Sequence, residues 1–484
     1  MIHPNELIVD NYSGGGGASV GIEMALKPIG RAVDIAVNHC PSAIDMHTLN
    51  HPNATHYCES AFDVDPVVAC NGRPVGLGWF SPDCRHFSKA KGAKPVDRAI
   101  RGLAWLVVKW GALVKMRIFK LENVEEFLTW GPLIEDENGK LVPDKDRAGE
   151  TFEGFLLTLT TGMPLNHPAW KDLNASLFRC NYDLKQKLAI FKAAKNGLGY
   201  NVKHDYMSAH DYGVPTSRRR LFMVGRNDGL PVVFPKPTHG PKGSGLLPYR
   251  TAAEIIDWSI PARSIFDPTR PKPVAKKSLE RLGKGVERFV IDNDDPFFVE
   301  PEMVVPFITE HANASSQRNM AINEPLRTLC AQVKGGHFAL VACSIVKYRG
   351  DNVGHKVDEP LHTISAGGNH LGLVKAYLVK YYGNGAINTL NNPLDTISTR
   401  DRFGLVIIKG EKYQIVDIAM RMLQPHELFL AMGFPADYII SHNSQGKKNS
   451  KADQVARCGN AVCPPVAAAL VAANVFVEPE RMAA

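Results

Sequence analysis

Nine cysteines are scattered along the chain without one closely spaced Cys-x-x-Cys pair. Neither a zinc-ligand spacing nor a disulfide framework is visible, and no metal is expected. The N-terminus, MIHPNELIVD, lacks a basic segment followed by a long apolar one, so no signal peptide is read there. No apolar run approaches the roughly 20 residues that cross a bilayer. These absences lead to the expectation of a protein of the reducing cytoplasm with free thiols and no membrane attachment; a monomer is also expected. A glycine-rich loop is present near the start, but no Gly-Lys-Ser/Thr follows it, which excludes a Walker-type nucleotide loop. Charge is also unexceptional. The net +7 over 484 residues permits a polyanionic partner without requiring one, because charge must cluster to make a binding face.

What is present begins as strand, loop and helix. Leu7 to Asp10 is a short apolar run, Tyr12-Ser13-Gly14-Gly15-Gly16-Gly17 follows, and Ala18 to Leu26 has helical character. A second short strand, Ala32 to Val37, ends at polar Asn38. This order opens a doubly wound α/β sheet. Val75 to Phe80, Arg117 to Leu121 and Arg220 to Val224 read as further buried parallel strands, and Ala99 to Leu113 as a helix between two of them. Residues 131–175 look like an exposed polar insertion. Prolines become dense over 227–300 and the α/β alternation fades, which places a boundary near Arg226.

An internal repeat follows. Glu324-Pro325-Leu326-Arg327-Thr328-Leu329, Glu359-Pro360-Leu361-His362-Thr363-Ile364 and Asn392-Pro393-Leu394-Asp395-Thr396-Ile397 each precede a β-like tail, with prolines 35 and 33 residues apart. Three such units are few for a solenoid and suggest a small β-rich domain. They carry Lys347, Arg349, Lys380, Arg400 and Arg402 among tyrosines. That mixture suits a nucleic-acid surface or, equally, a solvated basic edge.

Four constellations can carry chemistry. The glycine loop can bring backbone N–H groups against a cofactor, or be a tight turn. Ser81-Pro82-Asp83-Cys84-Arg85-His86-Phe87-Ser88 puts a thiol on a loop at the carboxyl end of a strand, where open α/β sheets bind ligands. Basic neighbours there favour a thiolate, although a lone cysteine is more often inert and buried. Leu121-Glu122-Asn123-Val124 ends another strand with a carboxylate that either moves protons or starts a helix. Ser217-Arg218-Arg219-Arg220 offers guanidiniums for an anion, or is a solvated charge run.

In this order the four motifs resemble the DNA cytosine-5 methyltransferase family of phage or bacterial type. DNYSGGGGASVG is similar to its first motif, Asp-Leu-Phe-Ser-Gly-x-Gly-Gly, and SPDCRHFS to its Pro-Cys-Gln-x-Phe-Ser nucleophile loop. LENV matches the Glu-Asn-Val motif, and VPTSRRRLFMVG resembles the Gln-x-Arg-x-Arg motif. RMLQPHELFLAMGFPADY and CGNAVCPPVAAAL resemble the two closing motifs. The resemblance spans residues 8–470.

It implies a Rossmann-like S-adenosylmethionine methyltransferase domain over 1–226. A smaller β-rich target-recognition domain follows over 227–414, with the repeats at about 300–410. Residues 415–484 then return to the catalytic domain. The implied substrate is double-stranded DNA, and S-adenosylhomocysteine is the implied product of the cofactor. Cys84 is the implied nucleophile and Glu122 the group at cytosine N3. Asn123 shapes the loop, and Arg218 and Arg220 stabilise O2. The implied cofactor residues are Tyr12, Ser13, Gly14, Gly16, Gly17, Asn38, Pro82, Asn460 and Val462, with Ser60 and Asp63 both standing as candidates for the adenine. The sequence departs from the pattern at several places. Asp83 precedes Cys84, Arg85 and Thr216 replace glutamines, Asn38 replaces an acidic residue, and Cys463 stands between Val462 and Pro464. An RNA cytosine methyltransferase, a non-catalytic DNA-binding relative and an enzyme transferring a modified methyl group are the alternatives.

Overall fold

The computed structural model describes residues 1–83, 102–180, 182–293, 297–298, 307–310, 318–321, 339–349, 352–380, 405–408 and 411–476. Cys84, most of the first and third repeats, Arg400 and Arg402 lie outside them. The chain forms two compact units, 1–249 with 432–484, and 250–431.

The first unit is built on a seven-stranded sheet. Its strands include β1 (Leu7–Asn11), β2 (Ile35–Val37), β3 (Thr55–Tyr57), β4 (Val75–Phe80) and β5 (Met116–Asn123). A small hairpin, β6 (Leu133–Glu135) and β7 (Leu141–Pro143), stands apart; β8 (Asn201–Ser208) and β9 (Arg219–Arg226) complete the sheet. The spatial order is β3-β2-β1-β4-β5-β9-β8. Strands β1 to β5 pair in parallel. β1 and β4 read LIVDN and VGLGWF and are buried throughout, as parallel strands covered on both faces must be. The order reverses between β1 and β4, and at such a point the loops leaving the carboxyl ends diverge into a crevice. The glycine loop leaves β1, the Ser81-Pro82-Asp83 segment leaves β4, and Val124 leaves β5, all at this edge.

One strand runs against the expectation. β9, read from the sequence as parallel, pairs antiparallel with both β5 and β8. Only a 3-10 turn, Ala209–Tyr212, and a short connection separate β8 from β9, too little chain for the crossover that a parallel pairing needs.

The helices of this unit are α1 (Gly17–Leu26), α2 (Pro41–Asn50), α3 (Pro66–Cys70), α4 (Leu106–Leu113), α5 (Glu150–Leu159), α6 (Trp170–Arg179) and α7 (Leu184–Asn196). The helix expected from Ala99 is a 3-10 turn over Gly102–Trp105 before α4 within the described residues. One sheet face carries a large apolar core in which Trp105 lies 5.2 Å from Trp130 and 5.6 Å from Phe155. Half of the supposed insertion belongs to this core. The hairpin β6–β7 is largely exposed, but Phe152, Phe155, Leu159 and Leu173 are buried, because α5 has an apolar stripe at helical spacing. A capping box between Asp183 and Gln186 starts α7.

The second unit has helix α8 (Lys276–Val286) against a sheet of β10 (Arg263–Ser264), β11 (Ala339–Lys347), β12 (His355–Lys356), β13 (Leu371–Lys380), β14 (Leu405–Ile408) and β15 (Glu411–Met422). The order is β10-β15-β13-β11-β12, with β14 paired to β15. Within the described residues, the tails of the three repeats enter β11, β13 and β14. Ile265, Leu282, Val286, Val374 and Ile418 form its core.

The units divide at 249 and 431 rather than at 226 and 414. Residues 227–249 stay with the first sheet: Val233 N–H donates to Asn474 Oδ1 at 3.1 Å, and Tyr249 donates its hydroxyl to Asp211 at 3.0 Å. Residues 415–422 belong to β15, and α9 (Pro425–Ala431) is bound to that strand by the Arg421–Glu427 ion pair at 2.7 Å.

The chain then re-enters the first unit as α10 (Lys451–Asn460) and α11 (Pro464–Val475). By length and composition Lys451–Val475 would pass for a membrane span, yet 67% of its most apolar window is buried inside the protein. α11 lies on α1, where Gly21 faces Ala467 so closely that an added Cβ would stand 2.5 Å from the Ala467 methyl. Small residues on both helices allow that approach. Lys120, fully buried in β5, donates to Leu470 O at 2.6 Å and ties α11 to the sheet.

Candidate active site

The glycine loop has two differently occupied sides. Ser13 N–H donates to Val37 O at 3.1 Å and Gly16 N–H to Ser13 O at 2.8 Å, which folds the loop over β2. Tyr12 holds φ 66°, a conformation costing a non-glycine residue about 1–2 kcal/mol, and its hydroxyl is fixed on Leu103 O at 2.9 Å. Gly16 and Gly17 are glycine because the protein itself comes too close. A Cβ would stand 2.0 Å from Tyr438 Oη at Gly16 and 2.2 Å from Val462 O at Gly17. Gly14 differs. Its φ is 52°, and a Cβ there would meet nothing nearer than Tyr12 O at 3.6 Å. That side of the loop is open; buried Asp10 at the end of β1 has an Oδ1 with no partner among the described residues.

Asn38 spends its side-chain oxygen locally, accepting Cys40 N–H at 2.9 Å. Its amide N–H groups can only donate, where a carboxylate could only accept. Ser60 closes a turn, its carbonyl accepting Asp63 N–H at 2.8 Å and its hydroxyl accepting Phe62 N–H at 3.3 Å; Asp63 is exposed. Asn460 ends α10 and is exposed, whereas Val462 is buried against Gly17.

At the neighbouring strand ends the acidic and basic candidates converge. Glu122 is only 7% exposed. Arg220 Nε lies 3.4 Å and Arg218 Nη2 3.8 Å from its Oε1. β9 is antiparallel to β5 and enters beside the end of that strand, so Arg218 and Arg220 come to Glu122 from the opposite chain direction. Arg218 also donates to Gly459 O at 3.0 Å, which joins this cluster to the C-terminal segment. A recess is lined by Glu122, Arg218 and Arg220 with Phe222, Val462 and Cys463. Cys463 is buried, and that burial pushes its thiol up to about 11 despite the two arginines. It therefore contributes a neutral wall. Asn123 donates to Pro82 O at 3.4 Å, and Ser81 is held by Trp79 Nε1 at 2.9 Å, so the approach to Cys84 is braced from two strands.

Several residues near this edge carry no role in the sequence reading. Tyr438 donates to Gly15 O at 2.8 Å, and His51 reaches it at 3.4 Å. Asp10, Ser19, His47 and His56 form a chain of contacts at 2.6, 2.8 and 2.8 Å behind the loop. Burial raises the Asp10 carboxyl to about 7 and drives His47 well down. Arg457 contacts Cys40 Sγ at 3.0 Å and Ser42 Oγ at 2.6 Å. Lys109 is the lone charge inside the apolar run LVVKWGAL. Among the described residues no cluster of His, Cys, Asp or Glu is suited to a metal ion.

The model of the family described as C-5 cytosine-specific DNA methylase matches residues 180–258 and 352–475. Among curated proteins, the chain is 27% identical over 238 residues to the Type II methyltransferase M.XorII of Xanthomonas oryzae, covering 48% of this chain and 43% of that protein. It is 25% identical over 277 residues to the Type II methyltransferase M.AquIA of Picosynechococcus, covering 53% of this chain and 89% of that protein. It is 31% identical over 148 residues to the Type II methyltransferase M.NgoFVII of Neisseria gonorrhoeae, covering 28% of this chain and 35% of that protein.

Proposed function

Because the chain belongs to the DNA cytosine-5 methyltransferase family, we propose that it transfers a methyl group from S-adenosylmethionine to C5 of cytosine in double-stranded DNA. The observation that carries this reading is the cluster of Glu122, Arg218 and Arg220 around one recess. Asn123 ties that cluster to the segment leading into Cys84, and Val462 ties it to the glycine loop.

Cytosine C5 is a weak nucleophile, and the role assigned to each residue is to change that. The Cys84 thiolate adds to C6, a C–S bond forms, and the C5–C6 double-bond electrons become available at C5. Glu122 hydrogen-bonds or protonates N3, which stabilises the adduct. Arg218 and Arg220 stabilise the charge at O2. S-adenosylmethionine, when bound, supplies the electrophilic methyl group. Loss of the C5 proton then returns an electron pair to the ring and expels the Cys84 thiolate. Tyr12, Ser13, Gly14, Gly16, Gly17, Asn38, Pro82, Asn460 and Val462 would hold the cofactor, with Ser60 or Asp63 at its adenine. The base must leave the helical stack to reach the recess, at a cost of about a few kcal/mol. The β-rich second unit is assigned to target recognition.

The test supplies purified protein and methyl-labelled S-adenosylmethionine to duplex DNA and to tRNA, followed by bisulfite sequencing of the DNA. Label at C5 of cytosine in the duplex is the expected result. Label confined to tRNA, or none in either, overturns the reading.

A further inference from the structure

We propose that Lys109 is a positioning residue for the cofactor: its buried ammonium holds the loop of residues 60–64 in the shape that presents Ser60 and Asp63 to the adenine. The inference rests on the reading that the first unit binds S-adenosylmethionine. Lys109 lies in α4 with no exposure to solvent. Its Nζ donates to three carbonyls of one loop, Ala61 O at 2.9 Å, Phe62 O at 3.2 Å and Val64 O at 2.8 Å. These use all the donors an ammonium has. Tyr182 completes the support. Its ring centre lies 4.8 Å from Nζ, and its hydroxyl donates to Val64 O at 2.9 Å.

A leucine or methionine would fill this part of the core without the desolvation cost of a charge. What an apolar side chain cannot do is turn three carbonyls of one short loop inward. With those carbonyls drawn to Lys109, and the Phe62, Asp63 and Val64 N–H groups bonded back to Ser60, the loop has one shape. Asp63 is left on its exposed side. Burial lowers the Lys109 ammonium to about 8, with Cys180, Asp65 and Asp63 opposing the fall. Those groups and Tyr182 are the titratable side chains that face it among the described residues. Above that pH the amine has lost its charge and one N–H, and one carbonyl loses its donor.

The experiment is calorimetric titration of the full chain with S-adenosylmethionine and with 5′-methylthioadenosine, which keeps the adenine and ribose but carries no titrating amine. Lys109→Met is expected to weaken both ligands by about tenfold or more, roughly 1.4 kcal/mol per tenfold. KM for S-adenosylmethionine should rise by a similar factor, with kcat at saturation changing far less. In the parent, affinity for methylthioadenosine is expected to fall as pH rises through about 8, and the variant should be flat. A folded Lys109→Met protein with parental affinity and KM overturns the inference. If that variant does not fold, the parent profile decides, and a flat one overturns it. A parent that binds neither ligand overturns the cofactor reading itself, a separate outcome.

Discussion

Asn123 donates its side-chain amide to the carbonyl of Pro82 at 3.4 Å, while its Oδ1 accepts the Val124 N–H at 2.9 Å. The residue following the candidate acid is thus fastened to the residue two before the candidate nucleophile. Asn123 fixes the turn out of β5 and the exit from β4 with one planar group.

From this link the candidate nucleophile segment is expected to depend on a residue that takes no part in bond making. Cys84→Ser should abolish methyl transfer and leave DNA affinity intact, as measured with labelled cofactor and by gel shift. Asn123→Ala should keep a residual rate, lowered by on the order of 10²-fold through misplacement of the thiol. Equal rates for parent and Asn123→Ala would show that the bond to Pro82 does not position the loop.

The return of the C-terminal segment gives a second expectation. A methyl at Gly17 would stand 2.2 Å from Val462 O, and backbone cannot yield as a side-chain tip does. Gly17→Ala should destabilise the first unit by about 1–3 kcal/mol and weaken S-adenosylmethionine binding, read by thermal unfolding and calorimetry. Truncation at Arg457 should remove cofactor binding altogether. A truncated protein that binds the cofactor normally would detach the segment from the site.

Asp10 predicts a pH dependence of stability. Burial raises its carboxyl to about 7 from 3.8, against the hydrogen bond from Ser19. The folded protein therefore holds a proton there that the unfolded chain has released. The stability this contributes is fully present below the unfolded value and is lost as pH rises through about 7. Buried His47, lowered by desolvation and by His51 and His56, contributes the opposite slope near neutrality. The difference between parent and Asp10→Asn isolates the carboxyl. In urea unfolding the variant should gain on the parent from about pH 4 to about pH 7 and then hold its lead. A constant difference across that range would mean that Asp10 is ionised throughout.

In the second unit, Glu427 is fully buried and receives Arg421 at 2.7 and 2.8 Å together with the Asp257 N–H at 2.8 Å. Glu427→Ala leaves the guanidinium buried and unpaired, which costs about 3–5 kcal/mol. Chemical denaturation should show this loss in the second unit. A loss below about 1 kcal/mol would mean that water replaces the carboxylate.

Much of the site edge was legible in the chain because its information is local. Strand, glycine loop and helix follow one another within residues 7–26, and the LENV and SPDC segments each end an apolar run. A strand's carboxyl end is fixed by its own sequence, and parallel strands put those ends on one edge. The described tails of the repeats lie in strands of the second sheet.

Other features depended on partners far along the chain. The direction of β9 followed from the short connection after β8, not from its apolar run. Gly16 and Gly17 are also crowded by Tyr438 and Val462, more than 400 residues away, a constraint that the local motif does not contain. Lys109 is a lone charge in an apolar run, and its three carbonyl partners lie on a distant loop. By itself the sequence determined which residues stand at strand ends, because backbone geometry and hydrophobic alternation act over a few residues. Only the tertiary structure decided which of them meet, because burial and hydrogen-bond satisfaction are settled between segments that the sequence separates.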